Sequence, residues 1–114
     1  MALKHYAATT ATSGGTSITV NGDTYHAITL ATVASGYELA VCSTRINGGA
    51  NGGEVYIEVV KNSSTVGTVV YSVAANDVIY IDAKEFYEAG ESIRIYSHVE
   101  GICVELFADY SAVA

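Results

Sequence analysis

The sequence predicts an all-β protein, an antiparallel β-sandwich of seven or eight strands. Apolar and polar residues alternate with a period of two over short runs such as EVYIEVVK at 54–61, and this is the period of a half-buried strand. Turn residues separate the runs at intervals of about 8–12 residues, the spacing typical of sandwiches and barrels. Proline, which would interrupt a strand, is absent from all 114 residues.

The N-terminal half of the chain divides into an arm and the first predicted strands. Residues 1–15 lack periodicity and are rich in Ala, Thr, Ser and Gly, so we interpret them as a flexible N-terminal arm and residues 16–114 as the sandwich domain. Asn-Gly at 21–22 lies between TSITV and TYHAITL. It predicts a hairpin, because both central positions of a tight hairpin turn need a positive φ. The strand YELAVCSTRI follows, and NGGANGG at 47–53 predicts a flexible loop.

The C-terminal half continues the strand pattern. EVYIEVVK, TVGTVVYSV and VIYID are separated by the turns NSS and AAND, and SIRIYS and ICVELFADY complete the set. AKEFYEAG at 83–90 predicts a single helical turn or an irregular crossing, because Gly90 and the lost periodicity limit any helix there. We expect the last residues, SAVA, to fray. The alternation predicts that the following side chains are mostly buried: Ile57, Val59, Val69, Ile79, Ile81, Ile93, Ile95, Val104 and Leu106.

Composition narrows the classes of partner. Twelve acidic residues face five basic ones, for a net charge of −7, whereas nucleic acids and anionic membranes are bound by clustered Lys and Arg. We therefore expect neither a nucleic acid nor a membrane as partner. Half of the residues are hydrophobic, which for a small domain predicts that further copies or a larger partner cover apolar surface. No signal peptide or membrane span is recognisable, which predicts a protein made in the cytosol.

Residues of the kinds used in catalysis and metal binding form no recognisable motif. His98 and Glu100 are two residues apart, but a zinc site needs three or four ligands. There is no Gly-x-Ser-x-Gly element, and Glu54, not a P-loop Lys, follows the glycine-rich 47–53. We therefore expect no enzyme activity, no cofactor and no metal. Cys42 and Cys103 lie in apolar strands and are predicted to be unpaired, buried thiols.

The segment VVKNSSTVGTVVYSVAANDVIYIDAKEFYEAGESIRIYSHVEGICVELFADY resembles a pattern found in small structural proteins of tailed bacteriophages. The shared elements are a strand ending in a polar turn, AAND before a strand, EAGESIRIYS, and a last strand after a tight turn. The likeness extends over residues 37–110 and excludes the N-terminal third. It implies a β-sandwich of jelly-roll type, with an immunoglobulin-like strand order as the alternative. AGESIRI is also similar to segments of trimeric jelly rolls of the tumour-necrosis-factor and C1q kind.

The resemblance implies a capsid decoration (cement) protein. Such a protein would bind the major capsid protein on the outside of the virion, stabilise the head without catalysis, form a homotrimer and assemble in the host cytoplasm. Contact residues are expected in the arm, in the loop at 47–53 and in the turn at 98–101, namely Leu3, Lys4, His5, Tyr6, Asn47, Asn51, His98 and Glu100. The alternative is a tail- or fibre-associated module that binds a carbohydrate or another ligand, for which the candidate stacking residues are Tyr56, Tyr71, Tyr80, Tyr87 and Tyr96.

Overall fold

The computed structural model describes residues 3–113, and the described residues form strands and no helix. The strands are β1 (Leu3–Thr9), β2 (Thr16–Val20), β3 (Asp23–Thr32), β4 (Tyr37–Asn47), β5 (Gly53–Lys61), β6 (Ser64–Val73), β7 (Val78–Ile81), β8 (Glu85–Glu88), β9 (Glu91–Tyr96) and β10 (Cys103–Ala112). They build two antiparallel sheets packed face to face, which confirms the predicted sandwich. In residues 3–113 no helix is long and apolar enough to cross a membrane.

The strand order is that of a jelly roll. One sheet has the order β1-β10-β4-β7, with β8 pairing farther along β4, and the other has the order β2-β3-β9-β5-β6. The pairing is nested: β1 lies beside β10, β3 beside β9, β4 beside β7 and β8, and β5 beside β6. This pairing of early with late strands distinguishes a jelly roll from the immunoglobulin-like order.

The predicted flexible arm is wrong for residues 3–9. These residues form β1, which pairs with β10 along its whole length from Leu3↔Asp109 to Thr9↔Cys103. Tyr6 and Ala8 point inward and pack on the core. The alternation of β1 involves Lys, Tyr and Ala rather than strongly apolar residues, so its period is hard to recognise in the sequence. Met1 and Ala2 of the expected arm, and Ala114 of the expected fraying tail, lie outside the described residues.

The β2–β3 hairpin forms as the sequence predicts, whereas the segment at 83–90 and the number of strands differ from the prediction. Asn21 and Gly22 have φ values of 51° and 86° and close the β2–β3 hairpin, as the sequence predicts. The segment expected to form a helical turn instead contains β8, which pairs with the first half of β4. Residues 3–113 form ten strands rather than seven or eight, because the expected arm supplies β1 and the expected helical turn supplies β8.

A β-bulge in β4 determines which of its residues face the core. Val41 pairs with Ala108 and Ser43 pairs with Phe107, so Cys42 is an extra residue on β4. An extra residue reverses the alternation beyond it. Leu39 and Val41 on one side of the bulge and Ile46 on the other are therefore all buried, although a strict period of two would put Ile46 outside.

The core lies between the two sheets. The predicted core residues that are buried are Ile57, Ile93, Ile95, Val104 and Leu106. Val59, Ile79 and Ile81 are only half-buried. The prediction for Val69 is wrong: it is 43% exposed, because β6 is an edge strand beside which the space between the sheets is open.

Candidate functional site

One end of the sandwich gathers four connections of the chain: residues 10–15, 47–53, 74–77 and 97–102. Backbone hydrogen bonds tie them together. The Thr10 amide donates to the carbonyl of Ile102 at 2.9 Å, and the Gly48 amide donates to the carbonyl of Asp77 at 2.9 Å. We call this region the loop end. A jelly roll brings these connections together because each of them joins one sheet to the other at the same side.

Thr10 ties residues 10–15 to the β9–β10 connection within the loop end. Its side chain is almost fully buried. Its hydroxyl donates to the carbonyl of Val99 at 2.7 Å and accepts from the amide of Ile102 at 3.0 Å. One hydroxyl therefore satisfies two backbone groups of the β9–β10 connection. The sequence offers no signal for this role, because Thr10 lies among small polar residues of the expected arm.

The glycine-rich loop at 47–53 is packed, which corrects the expectation of a flexible loop. The Gly52 amide donates to the carbonyl of Gly48 at 2.9 Å. A Cβ atom at Gly52 would lie 2.5 Å from the amide nitrogen of Ala75, and Gly52 has a φ of +65°. The glycine serves close packing of backbone on backbone, because any larger residue would collide with the β6–β7 connection.

Four of the predicted contact residues lie at or beside the loop end. Asn51 and Glu100 line a shallow depression of about 420 Å³. The side-chain Oδ1 of Asn47 accepts a hydrogen bond from the amide of Gly49 at 2.9 Å and shapes the loop. His98 is well exposed, and its ring lies 4.2 Å from that of Tyr25. The four connections contain Asp77 and Glu100 but no Lys or Arg, so the loop end is acidic.

The other predicted contact residues, in β1, do not join this group. β1 enters the loop end at Thr9, whereas Leu3 pairs with Asp109 near the far end of β10. Lys4 lies over the ring of Tyr110, with its Nζ 5.8 Å from the ring centroid. Tyr6 packs inward. Only Leu3 and His5 of this group point outward, onto the exposed face of the first sheet.

That exposed face carries several large apolar side chains. Leu3, Tyr80 and Phe86 are 79, 72 and 77% exposed, and Phe107 is 38% exposed. The register places Leu3 and Phe86 in one row across the sheet, through Asp109 and Ala40. Four strands at the usual spacing span about 14 Å. We call this surface the outer patch: Leu3, His5, Arg45, Tyr80, Phe86, Glu105 and Phe107.

Charged groups at the centre of the outer patch are paired. The Glu105 carboxylate, 13% exposed, accepts hydrogen bonds from the guanidinium of Arg45 and from Nε2 of His5, the latter at 3.0 Å. The Arg45 hydrogen bond lowers the pKa of Glu105, and the smaller contribution from His5 acts in the same direction against the effect of burial. The His5 ring stacks on Phe107 at 4.9 Å between centroids. Arg45 also lies over the Phe107 ring, at 5.9 Å.

A second candidate site is a cleft between the two sheets. It has a volume of about 260 Å³ and opens between β6 and β8. Its apolar walls include Ile57 and Leu106, and Tyr87 and Glu85 supply polar groups. The Tyr87 hydroxyl donates to the Glu85 carboxylate. Burial, and next this hydrogen bond, raise the pKa of Tyr87, so its phenol stays protonated.

The tyrosines that were candidates for sugar stacking do not form one platform. Tyr71 and Tyr87 line the cleft, and Tyr80 lies on the outer patch. Tyr56 and Tyr96 stack on each other at 5.0 Å on the second sheet, where Tyr96 is only 2% exposed. Their hydrophobic surface is therefore mostly used by cross-strand packing.

The cysteines are unpaired, as predicted. Their expected burial is wrong for Cys42, which is exposed, and Cys103 is intermediate. Cys42 is the bulged residue of β4, and the bulge turns its side chain away from the core. Among residues 3–113 no three His, Cys, Asp or Glu side chains are grouped so that they could hold a metal ion.

Comparison with protein-family models, with curated proteins and with solved structures finds no match to this chain.

Proposed function

We propose that this protein is a non-enzymatic structural protein of a bacteriophage virion, which binds the outside of the capsid and stabilises the head. The observation that carries the proposal is the outer patch, because exposed aromatic side chains around an Arg are typical of protein–protein interfaces. The partner is the major capsid protein. The homotrimer that the resemblance implies also stays a prediction, and we propose it for the copies on the capsid.

The outer patch has the composition of a binding hot spot. Phe86, Tyr80 and Leu3 project from β8, β7 and β1 and leave most of their surface in water, so docking would remove a large apolar area from solvent. Arg45 and Glu105 already satisfy each other, so their burial would leave no unpaired charge. Many copies on one capsid lattice would add multivalency, so a modest affinity per copy suffices.

Co-sedimentation with undecorated capsids tests the proposal. The capsids are assembled from the major capsid protein encoded in the same phage genome. We expect the parent protein to pellet with them, and the double variant Tyr80→Ser/Phe86→Ser to bind about tenfold more weakly or worse. Val113→Ser is the matched control, since Val113 is also well exposed (55%) but lies outside the patch. A parent protein that stays in the supernatant, or a double variant that binds as the parent does, would contradict the proposal.

The cleft favours a second candidate function, a tail- or fibre-associated module that binds a small ligand. Its mostly apolar walls suit an apolar molecule better than a carbohydrate, and the Glu85 carboxylate at its polar side would accept a hydrogen bond from such a ligand. Val69→Trp, which introduces a large side chain at the open edge of the cleft, where Val69 is 43% exposed, should abolish binding of such a ligand and leave capsid binding unchanged. A glycan screen tests the carbohydrate version of this alternative.

A further inference from the structure

The edges of the two sheets differ in how they are protected against pairing with another chain. β1 carries Lys4 and His5, and β8 has four residues that include Glu85 and Glu88. β7 and β2 are short, with four and five residues. Short length and charged side chains are the usual devices that keep an exposed strand from recruiting a further strand. These edges are therefore protected.

β6, at the edge of the second sheet, has none of these features. It is ten residues long, STVGTVVYSV, and contains no charged residue and no proline. It pairs with β5 on one side only, and residues 64–70 are all exposed. A bulge at Val66, where Gly67 pairs with Val59 and Thr65 with Val60, leaves the pairing of residues 67–73 regular. This regular part presents unpaired backbone donors and acceptors to solvent.

The regular part of β6 is also complementary to itself. In an antiparallel pairing centred on Val70, Thr68 of one copy lies opposite Ser72 of the second copy, and Val69 lies opposite Tyr71. Thr–Ser pairs and pairs of an aromatic with a β-branched residue are favourable cross-strand neighbours. Val70 then faces its own counterpart. We propose that two free copies of this chain pair through residues 68–72 of β6 about a twofold axis at Val70.

The absence of charged residues in β6 allows a second copy of the chain to occupy this edge. The net charge of −7 makes copies repel each other. The uncharged β6 is an edge along which two acidic molecules can approach without placing like charges opposite each other. The pairing would join the two five-stranded sheets into one continuous sheet of both copies. Because the strand contact is short, we expect a weak dimer that forms with rising concentration.

The contact is independent of the proposed function. The outer patch belongs to the first sheet and β6 belongs to the second. A variant of β6 can therefore lose dimerisation and still bind a capsid, and a variant of the outer patch can do the reverse.

Sedimentation velocity from low micromolar to millimolar protein, combined with amide hydrogen exchange, tests the twofold contact. The mass should rise from 11.9 kDa toward twice that value, and amides within residues 68–72 should exchange more slowly at high concentration. Val70→Lys places two Lys side chains opposite each other and should raise the dimer dissociation constant by about tenfold or more. Phe86→Lys adds the same charge on the outer patch and should leave the dimer dissociation constant unchanged.

Three results would overturn the contact. These are a mass of 11.9 kDa at every concentration, a free species with three times that mass, and a Val70→Lys variant that dimerises as strongly as the parent. Circular dichroism shows whether the variant is folded. If the variant is unfolded, amide exchange in the parent protein is the test instead. Exchange in residues 68–72 that does not slow with rising concentration counts against the pairing.

Discussion

Glu58 and Arg94 form an ion pair on the outward side of the second sheet, across β5 and β9. The Glu58 side chain is only 5% exposed and the Arg94 side chain 23%. The guanidinium donates to the carboxylate at 2.5 Å. A carboxylate so poorly hydrated depends on this single partner, because removal of one member of a buried pair leaves the other charge uncompensated.

Replacement of Arg94 by Met should therefore lower the free energy of unfolding by about 3–5 kcal/mol. Lys61→Met is the matched control, because Glu88, the partner of Lys61, is 70% exposed and such surface pairs contribute about 0–1 kcal/mol. Urea unfolding of both variants measures the difference. Equal losses in the two variants would show that Glu58 is not held by Arg94.

The low pKa of Glu105 should make the stability of the fold depend on pH. Arg45 lowers the pKa of its carboxyl in the folded protein, so the folded state binds this proton less readily than the unfolded chain does. The stabilisation is complete above the usual pKa of a Glu side chain, about 4.3, and is lost as the pH falls through the lower folded value. Carboxyl NMR titration should find Glu105 below its usual pKa, and in Arg45→Met the pKa should rise. An unchanged pKa in the variant would contradict the role of Arg45.

At the scale of elements, the loop at 47–53 shows how glycine determines packing. Gly52→Ala should cost more than about 1 kcal/mol, because an L-residue in the left-handed region loses about that much and its Cβ would also lie 2.5 Å from the Ala75 nitrogen. Gly67 in β6 has no atom within 4 Å of a built Cβ and no positive φ. Gly67→Ala should therefore leave stability unchanged or raise it by about 0.4–1 kcal/mol. Thermal unfolding of the two variants measures the difference in stability. A Gly52→Ala variant more stable than the Gly67→Ala variant would be inconsistent with the packed loop.

Most strands could be predicted from the sequence because their side chains alternate strongly. β5, β9 and β10 have clear periods, and Ile95 and Val104 are fully buried as expected. β1 could not be predicted, because its stability comes from pairing with β10 and not from its own composition. The bulge at Cys42 has no local signal, and it reverses the apparent faces of β4. The outer patch has no signal in the sequence for a similar reason: Tyr80, Phe86 and Phe107 lie in different strands, and only the register brings them onto one face of the sheet.

In the molecule as a whole, β1 makes residues 3–9 part of the sandwich. Deletion of residues 2–13 removes one of the two strands that pair with β10, the inward Tyr6 and the buried hydroxyl of Thr10. We expect a loss of at least about 3 kcal/mol in unfolding free energy, from the lost apolar burial and from backbone groups left without partners. Urea unfolding measures it. A truncated protein as stable as the parent would mean that residues 2–13 act as the free arm expected from the sequence.

Docking of the outer patch on a capsid, as we propose it, can be measured directly at Cys42. This exposed thiol stands on β4 beside Ser43, the neighbour of Phe107 in the register. The measurement is the rate at which Cys42 is alkylated in a Cys103→Ser variant, free in solution and after co-sedimentation with capsids. We expect alkylation to slow several-fold in the capsid-bound protein, since docking would remove the patch from solvent. Bound protein whose Cys42 reacts as fast as in the free protein would contradict it.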